Sequence, residues 1–140
     1  MIDTHAHLHL IKRPLDDVLR SSKEAGVTHI IQVAIDFPSI KSNLVDYKMY
    51  DQISITAGIH PLSVSVDLNK QSILDYISSN IDSFVAIGET GLDYKYGIET
   101  QTLQIDWFHS QLELASKFNK PVPEINAVIA ETPGKIRTDI

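Results

Sequence analysis

The sequence predicts an α/β fold in which parallel β-strands alternate with α-helices. Short runs of apolar, β-branched residues recur along the chain, separated by stretches in which apolar residues lie three or four apart. Most of these runs are apolar throughout, which is typical of strands in a parallel sheet covered by helices. Polar side chains suited to catalysis follow directly after the runs, where α/β sheets and barrels keep their active sites.

The first two strand–helix units occupy about the first fifty residues. Residues 2–5 are short and apolar enough to predict a buried strand, and Pro14 then opens a helix that Gly26 ends as a C-terminal cap. Residues 27–35 are rich in β-branched residues and predict the second strand. Apolar residues three or four apart predict the second helix over residues 39–50.

The third and fourth units follow the same plan. Residues 53–59 and 84–87 are predicted strands, and Asp67 is placed to cap the helix between them. The apolar stripe of that helix consists of Ile73, Leu74, Ile77 and Ile81. The longest helix is predicted over residues 100–118, and the side chains expected to face its core are Leu103, Trp107, Phe108, Leu112, Ala115 and Phe118.

Four such units fill about 120 residues, whereas a complete eight-unit barrel needs roughly 200 to 250 residues. We therefore expect an incomplete fold, the first half of a TIM-type (β/α)8 barrel, with residues 1–122 as its single domain. Half of a barrel leaves two sheet edges without a neighbouring strand. Open edges favour pairing with another chain, so we expect a tendency to self-associate.

Composition narrows the functional class. With 43% hydrophobic and 21% charged residues, the 140-residue chain is typical of a globular protein. It has no cysteine, which excludes disulfides and thiolate metal sites. The net charge of −6 argues against broad, nonspecific DNA binding, although a nucleic-acid substrate whose phosphates meet bound cations stays open. No apolar run is long enough to span a membrane and no signal sequence is recognisable, so we expect a cytoplasmic protein.

Histidines dominate the opening segment. His5, His7 and His9 alternate with other residues, and residues two apart in a strand point to one face. Imidazole is a common ligand for zinc-like ions, so two or three of these rings are predicted to form half of a metal site. The alternative is a strand that carries histidines by chance.

Further polar residues follow the other predicted strands, namely Asp36, His60 and Glu89. In a parallel sheet these residues and the histidines of the first strand meet at one edge. Glu89 also has a structural alternative, in which its carboxylate accepts hydrogen bonds from the backbone of a tight turn between Gly88 and Gly91.

The arrangement of these motifs resembles the TatD-related metal-dependent hydrolases, a deoxyribonuclease family of barrel enzymes. The resemblance extends over about residues 1–122, in matching order and spacing. The matching segments are Ile2-Asp3-Thr4-His5-Ala6-His7-Leu8, Gly58-Ile59-His60-Pro61, Ala86-Ile87-Gly88-Glu89-Thr90-Gly91-Leu92-Asp93-Tyr94, and Gln104, Phe108 and Gln111-Leu112-Glu113-Leu114-Ala115.

The resemblance implies hydrolysis of phosphodiester bonds, commonly in DNA, by metal-activated water. Two divalent ions (Mg, Mn or Zn) about 3.5 to 4 Å apart can hold the attacking water and the leaving oxygen together. His5, His7 and Glu89 would be metal ligands, with Glu89 bridging the two ions as the catalytic carboxylate. His60 and Asp93 would line the substrate site, although for Asp93 a role in ordering its loop is an equal alternative.

Two departures from the family pattern stand out. His9 occupies a position where the family usually has Asp or Asn. After residue 122, the family continues with an apolar strand that ends in a metal-binding histidine, whereas residues 123–140 contain no histidine and include Pro123 and Pro133. We interpret residues 123–140 as a divergent tail, such as a frameshift or truncated gene would produce. The alternative functions are accordingly a catalytically impaired remnant, or a half-barrel that another chain completes.

Overall fold

A computed structural model describes residues 1–123, so the predicted divergent tail lies outside the described residues except for Pro123. Four parallel strands form one sheet in the order β1-β2-β3-β4. The strands are β1 (Ile2–Ala6), β2 (His29–Gln32), β3 (Ile53–Ala57) and β4 (Phe84–Ile87). The α-helices are α1 (Leu15–Glu24), α2 (Phe37–Asp46), α3 (Lys70–Ser79) and α4 (Gln101–Lys117), with single 3-10 turns between some elements. The predicted α/β alternation is confirmed.

The helix boundaries follow local capping chemistry. The side chain of Asp36 accepts a hydrogen bond from the Ser39 amide in a capping box, so α2 begins at Phe37 and ends at Asp46, earlier than predicted. Asn69, and not the predicted Asp67, caps α3 by accepting from the Ser72 amide. Gly26 has a φ of +85° just beyond the end of α1, as expected of a glycine that stops a helix.

The prediction that the first strand is buried is wrong. Four of the five residues of β1 are exposed, and Ile2 is 57% exposed. Among the described residues β1 and β4 both lie at an end of the sheet, but α4 packs against β4, whereas no helix makes comparable contact with β1. Its apolar composition predicted a strand correctly, but burial depends on neighbours that the local sequence does not specify.

The core lies between β2–β4 and the helices. Ile55, Phe84 and Ile87 of the sheet pack within one cluster that includes Ile40, Ile77 and Trp107 from the helices. The buried face of α4 is more polar than predicted: Gln104 and Gln111 are buried there, whereas Leu112 is exposed. Within residues 1–123, no helix combines the length and the apolar character needed to cross a membrane.

Candidate metal centre

Three predicted ligands meet at the carboxyl ends of β1 and β4. The Nε2 atoms of His5 and His7 lie 3.3 Å apart, and they lie 3.6 and 3.7 Å from Oε2 of Glu89. One potential ligand atom from each residue thus lies close to the other two, the arrangement that a single cation requires. The sheet topology brings together residues more than eighty positions apart in sequence.

The third histidine of the opening segment does not join this group. β1 ends at Ala6, and Leu8 begins a 3-10 turn for which His7 is the N-cap. The two-residue alternation of a strand therefore stops after His7. His9 lies within the turn, and its ring centroid is 5.8 Å from that of His7. Of the two or three rings predicted to form half of a metal site, the structure brings two together, because the segment is not a strand throughout.

The end of β2 orients the ring of His7. Nδ1 of His7 lies 3.2 Å from the carbonyl oxygen of Val33. A carbonyl oxygen can only accept a hydrogen bond, so Nδ1 of the neutral ring carries the proton and donates it. Nε2 of His7, which faces Glu89 and His5, then has a free lone pair, the usual state of a metal-binding histidine.

Backbone hydrogen bonds to the two preceding strands position Glu89. The amide of Gly88 donates to the carbonyl of Ala57 at 2.8 Å, and the amide of Glu89 donates to the carbonyl of Ala34 at 3.0 Å. The buried hydroxyl of Thr56 donates to the carbonyl of Gly88 and accepts from the amide of Ala34. The peptide bond between Gly88 and Glu89 is cis. The ends of β2, β3 and β4 are thereby joined beneath the carboxylate.

Close packing of two glycines contributes to the same position. A Cβ atom on Gly58 would come within 2.5 Å of Cα and the carbonyl carbon of Gly88, so no larger residue fits there without displacing the backbone that carries Glu89. The carboxylate itself is nearly buried, with 11% of its side chain exposed. Within residues 1–123, no donor forms a hydrogen bond to the carboxylate of Glu89. These residues therefore do not show the alternative in which turn amides bond to this carboxylate.

Gln111 holds the loops on both sides of this region. Its Oε1 accepts from the amide of Ile59 at 2.7 Å, and its Nε2 donates to the carbonyl of Ile59 and to the hydroxyl of Thr90. The side chain is completely buried on α4. It therefore connects the loop after β3, which carries His60, to the residue that follows Glu89.

His60 lies close enough to the metal centre for nearby charged residues to affect its imidazole ring. Burial lowers the pKa of His60, and the positive charge of a protonated His7 lowers it further, while Glu89 and Asp93 partly oppose this shift. Nδ1 of His60 accepts a hydrogen bond from the amide of Leu62 at 3.0 Å. The neutral ring therefore carries its proton on Nε2 and can act there as a donor.

The structure gives the remaining predicted residues local roles. Oδ1 of Asp93 accepts from the amides of Lys95 and Tyr96, both at 3.0 Å, so this side chain orders its own loop. Asp36 is the N-cap of α2. Its position after β2 is thus explained by capping without a role in the metal centre.

Three buried polar residues that support the site had no role assigned from the sequence, although Gln111 belongs to one of the matching motif segments. Gln32, Thr56 and Gln111 are each 1% exposed or less, and each bonds to backbone next to a candidate ligand or substrate residue. A signal was available for Gln32 and Thr56, since each is a polar residue inside a run of β-branched residues. Buried polar side chains need hydrogen-bond partners, so such positions indicate a built polar network.

The sequence is similar to a known protein family and to named relatives. The family model described as TatD related DNase matches residues 2–123. A protein named uncharacterized metal-dependent hydrolase from Buchnera aphidicola is 30% identical over 133 residues, which covers 87% of this chain and 50% of that protein. Human deoxyribonuclease TATDN3 is 28% identical, again over 87% of this chain and 50% of its own length.

A solved structure shows the same architecture. The crystal structure of YJJV, a TatD homologue from Escherichia coli, superposes with a TM-score of 0.77 at 26% identity and covers 89% of this chain and 49% of that one. The chain thus spans about half the length of the relatives it matches. The predicted fold class, strand–helix repeats equivalent to half of a TIM-type barrel, is confirmed.

Proposed function

Since the chain belongs to the TatD-related DNase family, we propose that it contributes the first part of a metal-dependent phosphodiesterase centre and that DNA is its substrate class. The observation that carries this proposal is the convergence of His5, His7 and Glu89, whose ligand atoms lie 3.3–3.7 Å apart. A relative named as a deoxyribonuclease supports DNA, or a related phosphodiester, as the substrate.

The donor set fits a divalent cation. Ligand atoms about 2.0–2.2 Å from a tetrahedral zinc ion lie about 3.3–3.6 Å from each other, close to the spacing of these three atoms. Two imidazoles and a carboxylate suit zinc, and manganese also accepts such ligands. The carboxylate of Glu89 is 11% exposed and accepts no hydrogen bond from the described residues, so a bound cation would stabilise its charge.

Glu89 also offers an oxygen for a second cation. Oε2 faces the two imidazoles, and within residues 1–123 no donor forms a hydrogen bond to Oε1, so this oxygen could hold a second ion. When bound, a pair of divalent cations supplies water activation near neutral pH and neutralises charge on a transferring phosphate. The role of the chain is then to fix Glu89 through the ends of β2 and β3, and His7 through Val33.

His60 and Asp93 serve the substrate in this proposal. Because the neutral ring of His60 carries its proton on Nε2, it can donate a hydrogen bond to a phosphate oxygen without competing for the metal. Asp93 keeps its loop folded through Oδ1 and has Oδ2 free to contact substrate. The charges of Glu89 and Asp93 both act on the ring of His60, which supports assigning these residues to one substrate site.

Calorimetric titration of the purified 140-residue chain with Zn²⁺ and Mn²⁺ tests the metal centre. We expect stoichiometric binding, weakened at least about a hundredfold in His7→Ala and Glu89→Gln. His109→Ala and Glu113→Gln are matched controls, because both residues are exposed on α4. Binding that is indifferent to His7→Ala and Glu89→Gln would contradict the assignment.

Hydrolysis of bis(4-nitrophenyl) phosphate and of DNA by the metal-loaded chain tests the reaction. Cleavage that disappears in Glu89→Gln would support a phosphodiesterase. Site-specific metal binding without any cleavage would favour the second candidate, a catalytically impaired relative that keeps the metal ligands. That candidate has support in the structure, because residues 1–123 bring only three ligands to a centre proposed to hold two ions.

A further inference from the structure

The structure assigns His9 a role different from that of its neighbour His7: we propose that His9 is a hydrogen-bond donor to a phosphate oxygen of the substrate and not a metal ligand. This inference rests on the proposed function for the identity of the substrate. It concerns a residue that departs from the family pattern and that the metal centre leaves unused.

Gln32 determines the hydrogen bonding of His9. Its Oε1 accepts from the amide of Leu8 at 2.6 Å, which fixes the orientation of the side-chain amide, since only the oxygen can accept. Its Nε2 therefore faces three acceptors, of which Nδ1 of His9 is the nearest at 3.1 Å. The other two are Oδ1 of Asn43 at 3.2 Å and the carbonyl of Val33 at 3.3 Å, so the two hydrogens of the amide are shared among the three. Gln32 is completely buried, so it has no water with which to exchange these partners.

An amide NH2 group can only donate, so Nδ1 of His9 accepts and the proton of its neutral ring is on Nε2. A protonated Nε2 has no lone pair for a metal. His7 has the opposite arrangement, because its Nδ1 faces the carbonyl of Val33. Val33 and Gln32, adjacent residues where β2 ends, thus favour opposite tautomers of the two imidazoles. His7 presents a lone pair on Nε2 to a cation, whereas His9 presents an Nε2–H group to an anion.

The position of His9 suits contact with a phosphodiester held at the metal centre. Its ring centroid is 5.8 Å from that of His7, little more than the 5.1 Å between the rings of His5 and His7. His9 is exposed and lines a shallow depression with Asp36, Pro38 and Ser42, and Oδ1 of Asp36 is already occupied by the Ser39 amide. In this inference, the Nε2–H group of His9 contacts an oxygen of a phosphate bound beside His7.

Nitrogen NMR of the metal-free, ¹⁵N-labelled chain tests the tautomers directly. At pH 8, where free imidazole is neutral, long-range ¹H–¹⁵N spectra are expected to show the Nε2–H form for His9 and the Nδ1–H form for His7. In Gln32→Glu, the donor to Nδ1 becomes an acceptor, and His9 is expected to change to the Nδ1–H form. The wild-type spectrum decides the assignment even if Gln32→Glu does not fold: an Nδ1–H form of His9 would overturn it.

Binding of diethyl phosphate to the Zn²⁺-loaded chain tests the function of the donor. His9→Gln retains an N–H group near the position of Nε2, whereas His9→Phe keeps the ring shape alone. We expect diethyl phosphate to bind His9→Phe about three- to tenfold more weakly than wild type, with His9→Gln close to wild type. Zn²⁺ affinity is expected to change less than about twofold in both variants.

The outcomes separate this inference from the proposed function. A loss of Zn²⁺ affinity in His9→Phe as large as that in His7→Phe would make His9 a ligand and overturn the inference, leaving the metal centre intact. Equal phosphate binding by His9→Phe and wild type would also overturn it. Failure of the wild-type chain to bind Zn²⁺ would instead overturn the proposed function, and with it the substrate contact.

Discussion

The two sides of the candidate centre differ in how firmly the fold holds them. His5 lies on β1, an exposed edge strand among the described residues, and 42% of its side chain is exposed. Glu89 follows β4 and is 11% exposed by the same measure, on backbone joined to the ends of β2 and β3. The carboxylate side is therefore built into the core, whereas the imidazole side depends on a few hydrogen bonds to β2. This difference leads to four predictions.

The largest expected effect comes from truncating the core beneath the carboxylate side. Ile55→Ala removes a side chain of β3 that is 3% exposed, and we expect it to lower the free energy of unfolding by about 3–4 kcal/mol. Ile2→Ala on β1 is the matched change at a position that is 57% exposed, with an expected cost below about 1 kcal/mol. Urea denaturation measures both, and equal losses would remove the contrast between the two sides.

Removal of the buried amide on α4 is expected to have the next largest effect. Gln111→Leu keeps the volume but leaves the amide and carbonyl of Ile59 unpaired, at a cost of about 2–3 kcal/mol in unfolding free energy. Gln101→Leu at the exposed start of α4 is the control, expected to change little. A Gln111→Leu protein as stable as wild type would show that Gln111 does not support the loops around the carboxylate.

A smaller effect is expected at the hydroxyl that connects three strand ends. Thr56→Val keeps the shape but leaves the carbonyl of Gly88 without its donor and the amide of Ala34 without its acceptor, for an expected loss of about 2 kcal/mol. Thr56→Ser keeps the hydroxyl and should recover most of this loss. Thermal denaturation of the pair separates hydrogen bonding from packing, and identical midpoints would argue for packing alone.

The smallest expected effect is a dependence of folding stability on pH that is caused by His60. Burial lowers the pKa of His60 in the folded state, so the unfolded chain, with an ordinary value of about 6.5, binds a proton first as the pH falls. Folding stability should therefore decrease as the pH drops below about 6.5 and stop decreasing below the folded pKa. Stability measured from pH 8 to pH 5 should lose this component in His60→Gln and retain it in His109→Gln, whose exposed ring is the control.

The same contrast explains what could be predicted from the sequence. Strands and helices followed from apolar periodicity because each depends mainly on its own residues, and the convergence of His5, His7 and Glu89 followed from the rule that parallel strand ends meet at one edge. Burial of β1 was predicted wrongly because burial depends on which elements pack against a strand: β4 is also at an end of the described sheet, but α4 covers it. The roles of Gln32 and Gln111 were not predicted because their partners are distant backbone groups, 24 and 52 positions away.

The amides of Gly88 and Glu89 illustrate how tightly the carboxylate is linked to the rest of the protein. Each donates to a different segment, one to Ala57 at the end of β3 and the other to Ala34 just after β2. Exchange of these two hydrogens with deuterium from solvent requires separation of strand ends that bury the core, and not a local loop movement. We therefore expect the carboxylate to move only when the strand ends separate. Faster adjustment to an incoming ligand is expected from His5 and His7.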